Sequence, residues 1–330
     1  MKARITISEP VSHHRSVVSP LTGNGDVELL EEINVADLRA LYSDSFGVDV
    51  SDEFSGVDSV GLYRCLKSGL RFFHPAVTGS ESFYEALQRQ SWYYLGAKPE
   101  YDFARGFVSE SDDVLEVGCG RGEFAKKIAA RSYLGLEFSS KAQDMAAADG
   151  IHVITRQVET HCLQYEQHYD VVCAFQVLEH VASPTAFINA CIRCLRPGGL
   201  LIYSVPNADS YLAYSTNSVL NMPPHHVTWW MESAFRYVAA RFGMDIREID
   251  RERLADVHVG QYAAVLSRET LLHCLGAERQ RTLINRSLYF KIVNKLSVLL
   301  SQPLARVLED VHLLPIGHSI TVVLRKPVAL

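Results

Sequence analysis

The chain has 330 residues, of which 48% are hydrophobic and 21% charged, with a formal net charge of −6. That length points to about two units, or to one large domain with insertions, and the composition excludes wholesale disorder. The acidic balance argues against a dedicated nucleic-acid binder, and no apolar run reaches the roughly 18 residues that cross a bilayer.

The first thirty or so residues read as a polar lead-in without the apolar core of a secretory signal. Residues 36–47 (ADLRALYSDSFG) predict a short helix. GLYRC and LRFF flank Leu66-Lys67-Ser68-Gly69, a sequence suited to a hairpin turn. Residues 80–90 open on Ser and Glu and space Phe83, Tyr84 and Leu87 on one helical face, and a second helix is expected to start at Pro99. From Asp113 onward VLEV, YLGLEF, HVIT, YDVVCAF and LLIYSV read as strands, with AKKIAA, KAQDMAAA and AFINACIRCL as helices between them. This rhythm predicts an α/β domain, a parallel sheet covered on both faces. MDIREID precedes a helical stretch over roughly 262–311, and HSITVVLR supplies a last strand. Within that stretch VNKLSVLLSQPLARVL is amphipathic; packing on the protein's own sheet is expected over a seat on a membrane surface. The seven scattered cysteines suit buried free thiols in a reducing compartment, so a cytoplasmic location is expected.

The sharpest signal is Val114-Leu115-Glu116-Val117-Gly118-Cys119-Gly120-Arg121-Gly122-Glu123. A strand runs into three alternating glycines, which allow positive φ and close approach of a ligand to the backbone. A dinucleotide turn needs a small residue where Glu123 stands, and Glu116 would repel a pyrophosphate. S-adenosylmethionine, with a sulfonium, an ammonium and no phosphate, suits those charges. Glu137 ends the next strand, where an acid can accept hydrogen bonds from ribose hydroxyls. The plainer reading is a glycine turn with two surface acids.

VLEVGCGRGEFA, LGLEFS, YDVVCAFQVLEHV and LRPGGLLIYSVPN, in this order, resemble the class I S-adenosylmethionine-dependent methyltransferases over about residues 98–252 and the final strand. The resemblance implies a Rossmann-like sheet of seven strands, mostly parallel, whose last strand is antiparallel. It implies that Glu116, Gly118, Cys119 and Gly120 hold the methionine end of the cofactor and that Glu137 holds the ribose beside Phe138. Gln157 and Val158 would lie near the adenine, and Phe175 and Gln176 near the methyl group. Tyr94, in the aromatic stretch Trp92-Tyr93-Tyr94, would belong to a lid over the cofactor by the resemblance, while a core aromatic cluster is the favoured reading for any one of these residues.

Methyl transfer is an in-line displacement at carbon, and a hydroxyl or acidic-carbon acceptor also needs a base. His180 follows the fourth strand of this pattern, at the sheet edge where open α/β sheets bind ligands. His225 and His226 lie in Pro223-Pro224-His225-His226-Val227-Thr228-Trp229-Trp230, which looks like a signature of bacterial methyltransferases acting on sugars, glycans and small metabolites. By that resemblance His226 is the first candidate base. Histidines that merely pack and order their loops are the competing reading for all three.

Cys191 and Cys194 share one helix face and read as packed thiols. Related enzymes often open with a zinc ribbon; here only Cys65 stands at the corresponding positions, so the hairpin is a degenerate ribbon and no metal is expected. The expected organisation is therefore an N-terminal extension over 1–79 and a methyltransferase domain over 80–330. The acceptor is expected to be a small molecule or glycan precursor, methylated on oxygen or carbon. An NAD(P)-dependent oxidoreductase or epimerase and a non-catalytic cofactor-binding scaffold are the alternatives.

Overall fold

A computed structural model describes residues 17–90, 98–276, 282–308 and 315–328. In the extension, β1 (Val27–Asn34) leads into α1 (Val35–Phe46). Asn34 caps that helix by accepting from the Ala36 N–H, and Gly47 ends it in the left-handed conformation. β2 (Ser59–Cys65) and β3 (Arg71–His74) form the expected hairpin. α2 (Glu81–Leu87) is capped by Ser80, and α3 (Pro99–Ala104) begins at its proline.

The main sheet comprises β4 (Asp113–Val117), β5 (Ser132–Leu136), β6 (Val153–Ile154), β7 (Tyr169–Phe175), β8 (Leu195–Pro206), β10 (Asp245–Arg253) and β11 (Ile316–Arg325). The two-residue strand β9 (Thr228–Trp229) belongs elsewhere. Helices α4 (Ser140–Ala148), α5 (Val158–His161), α6 (Pro184–Cys194) and α7 (Glu232–Phe242) alternate with these strands. The order is β10-β11-β8-β7-β4-β5-β6, with β11 antiparallel to both neighbours and parallel pairing from β8 to β6. This is the mostly parallel, Rossmann-like seven-stranded sheet, and its central strands are apolar because both faces are covered. Cys191 and Cys194 are fully buried in the face that α6 turns to the core.

Four local expectations change. Residues 27–34, placed largely in the lead-in, form β1, whose mostly exposed side chains hide the strand period. β9 is too short to leave a periodic trace, yet it completes a second sheet of order β1-β2-β3-β9. AKKIAA forms only a 3₁₀ turn at Ala125–Lys127, followed by extended backbone at Ile128. Six α-helical residues rise about 9 Å, less than the roughly 16 Å of a five-residue strand, so extended chain completes this short crossover. The helical stretch divides into α8 (Asp256–Cys274) and α9 (Leu288–Val307). Among the described residues α9 packs chiefly on α8 and leaves Leu288, Ile292, Leu299 and Val307 exposed. No helix among the described residues is long and apolar enough to cross a membrane.

The second sheet matters for position. Phe73 N–H donates to the Val227 carbonyl, and Gly79 N–H to that of Pro224. On the other side Val227 N–H donates to the Glu179 carbonyl, and Ala208 N–H to that of Trp230. The segment over 221–230 is therefore held between the extension and the ends of β7 and β8.

Candidate active site

The glycine turn is built by backbone constraint. Gly118, Gly120 and Gly122 have φ of +72°, +54° and +77°, a region costly for residues with a Cβ. A Cβ on Gly118 would fall 2.4 Å from Val177 Cγ2, so the turn packs directly on the segment leaving β7. A Cβ on Gly120 would meet nothing within 4 Å, so that backbone is open to a ligand. Cys119 is buried, its Sγ lying 2.4 Å from where a Cβ on Gly135 would stand.

The two acids differ. Gly120 N–H donates to Glu137 Oε2 at 2.9 Å, while Phe138 and Ser139 N–H donate to Oε1 at 2.8 Å each. Glu137 thus ties the glycine turn to the start of α4. Glu116 is buried and accepts from the Tyr133 hydroxyl. Burial pushes its carboxyl up to about 8, against the Tyr133 hydrogen bond and the nearby Lys98 charge, with Glu137 adding to the rise. Glu123 pairs with Arg121 at 2.8 Å and Lys126 at 2.9 Å, which occupies the cations nearest the turn.

The other expected cofactor positions also fall at the C-terminal edge of the sheet. Phe138 is exposed beside Glu137, Gln157 stands at the N-terminal boundary of α5 without a side-chain capping bond, and Val158 is buried. Phe175 is a core residue packed on Tyr101 and Phe124, with ring centroids 4.9 and 4.8 Å away. Gln176 has φ of +58°, and its Nε2 donates to Glu100 Oε1 at 3.1 Å and Ser319 Oγ at 3.2 Å. Tyr94 lies outside the described residues.

The three candidate histidines converge, although His180 is 45 residues from His225. Ring centroids are 4.6 Å apart for His180–His225, 4.9 Å for His180–His226 and 4.5 Å for the stacked His225–His226 pair. His180 Nδ1 lies 2.6 Å from the His225 carbonyl oxygen, and His225 Nδ1 lies 2.9 Å from that of Leu220. His226 Nδ1 faces Asn221 Oδ1 at 3.2 Å. Carbonyl oxygens only accept, so these contacts assign the ring proton to Nδ1 and leave Nε2 as a lone-pair site. Burial pushes His180 down to about 4 and His225 to about 3, and holds His226 well below its ordinary value. Glu179 Oε1 sits 3.8 Å from His180 Nε2 and 3.9 Å from His226 Nε2. Pro223–Pro224 is a cis peptide, and the Trp229 indole N–H donates to the Asn221 carbonyl at 2.7 Å.

Several neighbours escaped the sequence reading. Glu179 stood in plain view beside His180, but only the structure shows it buried at this cluster. Glu100, Glu252 and His318 come from three separate segments and carry no local pattern, and Asn221, which opens the Pro-Pro-His-His segment, is shown only by the structure to face His226. Glu252 accepts from Ser319 N–H at 2.9 Å; burial, with the Glu100 charge, pushes it up to about 7. His318 stacks on His258 at 4.5 Å and is pushed down to about 3 by burial.

Residues 82–249, just over half of the chain, match the family model of a methyltransferase domain. The chain belongs to that family. It is a class I S-adenosylmethionine-dependent methyltransferase by sequence and sheet topology. A ubiquinone biosynthesis O-methyltransferase of Proteus mirabilis is 30% identical over 123 residues, covering 34% of this chain and 50% of the relative. One from Yersinia pestis is 34% identical over 105 residues, covering 29% of this chain and 43% of the relative. The methyltransferase thus matches about half the length of these curated relatives, or less. A solved S-adenosylmethionine-dependent methyltransferase of Archaeoglobus fulgidus is 15% identical, with a TM-score of 0.41, covering 75% of this chain and 95% of that one. The turn suits the family cofactor on its own terms: open backbone at Gly120, two acids, and Arg121 already paired with Glu123.

Proposed function

We propose that the protein transfers the methyl group of S-adenosylmethionine to an oxygen, or an acidic carbon, of a small-molecule or glycan-precursor acceptor. In this reading Glu116, Gly118, Cys119 and Gly120 face the methionine end, Glu137 and Phe138 the ribose, Gln157 and Val158 the adenine, and Phe175 and Gln176 back the methyl site. The bound cofactor supplies an electrophilic methyl group on a positively charged sulfur. The observation that carries the acceptor assignment is the histidine cluster, which begins three residues after the Val177 that packs on Gly118. His225 and His226 lie in the segment held between two sheets, and the chain that leads to His180 packs on the glycine turn through Val177. As the acceptor's new bond to carbon forms and the carbon–sulfur bond breaks, the acceptor's proton leaves to this cluster and the sulfur becomes a neutral thioether. Oxygen is favoured as acceptor because the curated relatives above are named O-methyltransferases. We place the reaction in the cytoplasm, a setting supported by the unpaired cysteines, six of them buried among the described residues. The extension over 1–79, whose sheet takes in β9, is proposed to brace the acceptor side.

His226→Ala tests this reading. S-adenosylhomocysteine release over a panel of phenolic and sugar acceptors should fall about 10²- to 10⁴-fold, the usual weight of a proton-transfer group. Cofactor affinity by calorimetry should stay within about twofold. An undiminished rate removes the cluster from the chemistry.

A further inference from the structure

We infer that His180, His225 and His226, together with Glu179, form a binding site for one divalent transition-metal ion, with zinc the best match. One ring nitrogen from each histidine lies within 4.8 Å of those of the other two. Each Nδ1 is spoken for by an oxygen acceptor: the His225 carbonyl, the Leu220 carbonyl and Asn221 Oδ1. That is the outer-shell pattern of metal-ligating histidines, in which one nitrogen donates a hydrogen bond and the other is fixed as the ligand.

The independent observation is Glu179. It is 1% exposed, and neither carboxylate oxygen has a hydrogen-bond partner. A buried carboxylate without partners is costly and rare, and a cation is the partner its position admits. Its Oε1 already lies 3.8 and 3.9 Å from two of the histidine Nε2 atoms. A tetrahedral ion about 2.0–2.1 Å from its ligands sets them about 3.4 Å apart, so the two histidine contacts of Glu179 close by about 0.4–0.5 Å and the histidine nitrogens by up to about 1.4 Å, while Glu179, outside the group of three, moves further towards His225. Three imidazoles and one carboxylate suit zinc and its transition-metal neighbours, whereas magnesium and calcium prefer oxygen throughout. The expectation of no metal considered only the cysteine pairs and the ribbon-like hairpin.

The inference deepens the proposed function and rests on it for the ion's role. Zinc sites expand to five ligands, so the ion can hold an acceptor oxygen and lower the pKa of its hydroxyl. With the ion bound, it would take over the part given to the free imidazoles: their lone pairs being engaged, the acidified hydroxyl would lose its proton to solvent, and the oxygen would take the methyl carbon as the carbon–sulfur bond breaks.

The test uses the full chain without an affinity tag, stripped with chelator and titrated with Zn²⁺ by calorimetry and with Co²⁺ by visible absorption. One Zn²⁺ per chain at a Kd of about 10 µM or tighter is expected, with the absorption band of four-coordinate Co²⁺. Glu179→Gln should weaken Zn²⁺ binding at least about tenfold and His226→Asn about a hundredfold, while His152→Ala, at an exposed histidine ahead of β6, should leave it unchanged. S-adenosylhomocysteine binding by the same samples reports that each variant is folded. No saturable Zn²⁺ binding by the stripped native chain, or native affinity in both site variants, overturns the inference. Loss of methyl transfer with Zn²⁺ binding intact would count against the proposed function alone; turnover undiminished in metal-free protein would remove the ion's role.

Discussion

The glycine-turn edge, proposed for the cofactor, and the histidine edge lie side by side at the C-terminal ends of the strands, yet they are made differently. At the cofactor edge, residues 116–139 supply the strand end, the glycine turn and both acids from one continuous stretch. The turn is tied by backbone hydrogen bonds to Leu136 and by the three N–H groups that donate to Glu137. At the histidine edge, one segment ends β7 and the other lies more than forty residues on, pinned by Phe73 of the extension's hairpin and by Gly79 beyond it. The first edge is specified by what glycine can do locally; the second exists only when two sheets have assembled around it.

The contrast can be broken or sharpened by substitution. The largest effect is expected at Gly118→Ala, which forces a Cβ into positive φ and within 2.4 Å of Val177. Strain and overpacking of about 2–4 kcal/mol should cut S-adenosylhomocysteine affinity roughly 30- to 1000-fold by calorimetry. Native affinity in that variant would mean the turn does not shape the cofactor site. Glu116 should give the next effect. With its carboxyl raised to about 8, a proton must leave before it can pair with a cationic cofactor, so affinity should rise by up to about tenfold per pH unit below pH 8 and level off above. The sign for the ligand-free fold is opposite: a carboxyl raised from 4.5 favours folding at low pH, and that contribution is lost as pH rises towards 8. Glu116→Gln should flatten the binding profile, and an unchanged profile would reassign the titration.

The smallest effect belongs at the far end of the same strand. Asp113 accepts from Arg131, Ser132 and Arg196, and the Arg131 guanidinium holds its carboxyl well below the usual range despite partial burial. Its stabilising contribution is present above about pH 4 and lost as pH falls further. Asp113→Asn should cost about 1–2 kcal/mol in denaturant melts at pH 7 and leave cofactor affinity unchanged. A change in affinity would show that the two ends of β4 are coupled.

Much of this molecule could be read in advance. The apolar runs of β4, β7 and β8 announce buried parallel strands, and Ser80 and Pro99 mark helix starts that the structure keeps. β1 and β9 could not be read, since one is a mostly exposed strand and the other only two residues long. The helix expected at AKKIAA failed because crossover length, not helix propensity, decides that segment. The histidines were visible as residues, but their meeting was not, nor was the bare carboxylate of Glu179 beneath them.

The amino-acid order alone determined the parallel sheet, the glycine turn and the placement of Glu116 and Glu137, because each follows from periodicity and backbone freedom within a short window. Tertiary structure alone decided that His180, His225, His226 and Glu179 meet, with Glu179 and His226 buried and the other two partly so. Their approach depends on hydrogen bonds between segments far apart in the chain, and burial then sets their protonation and their appetite for a cation.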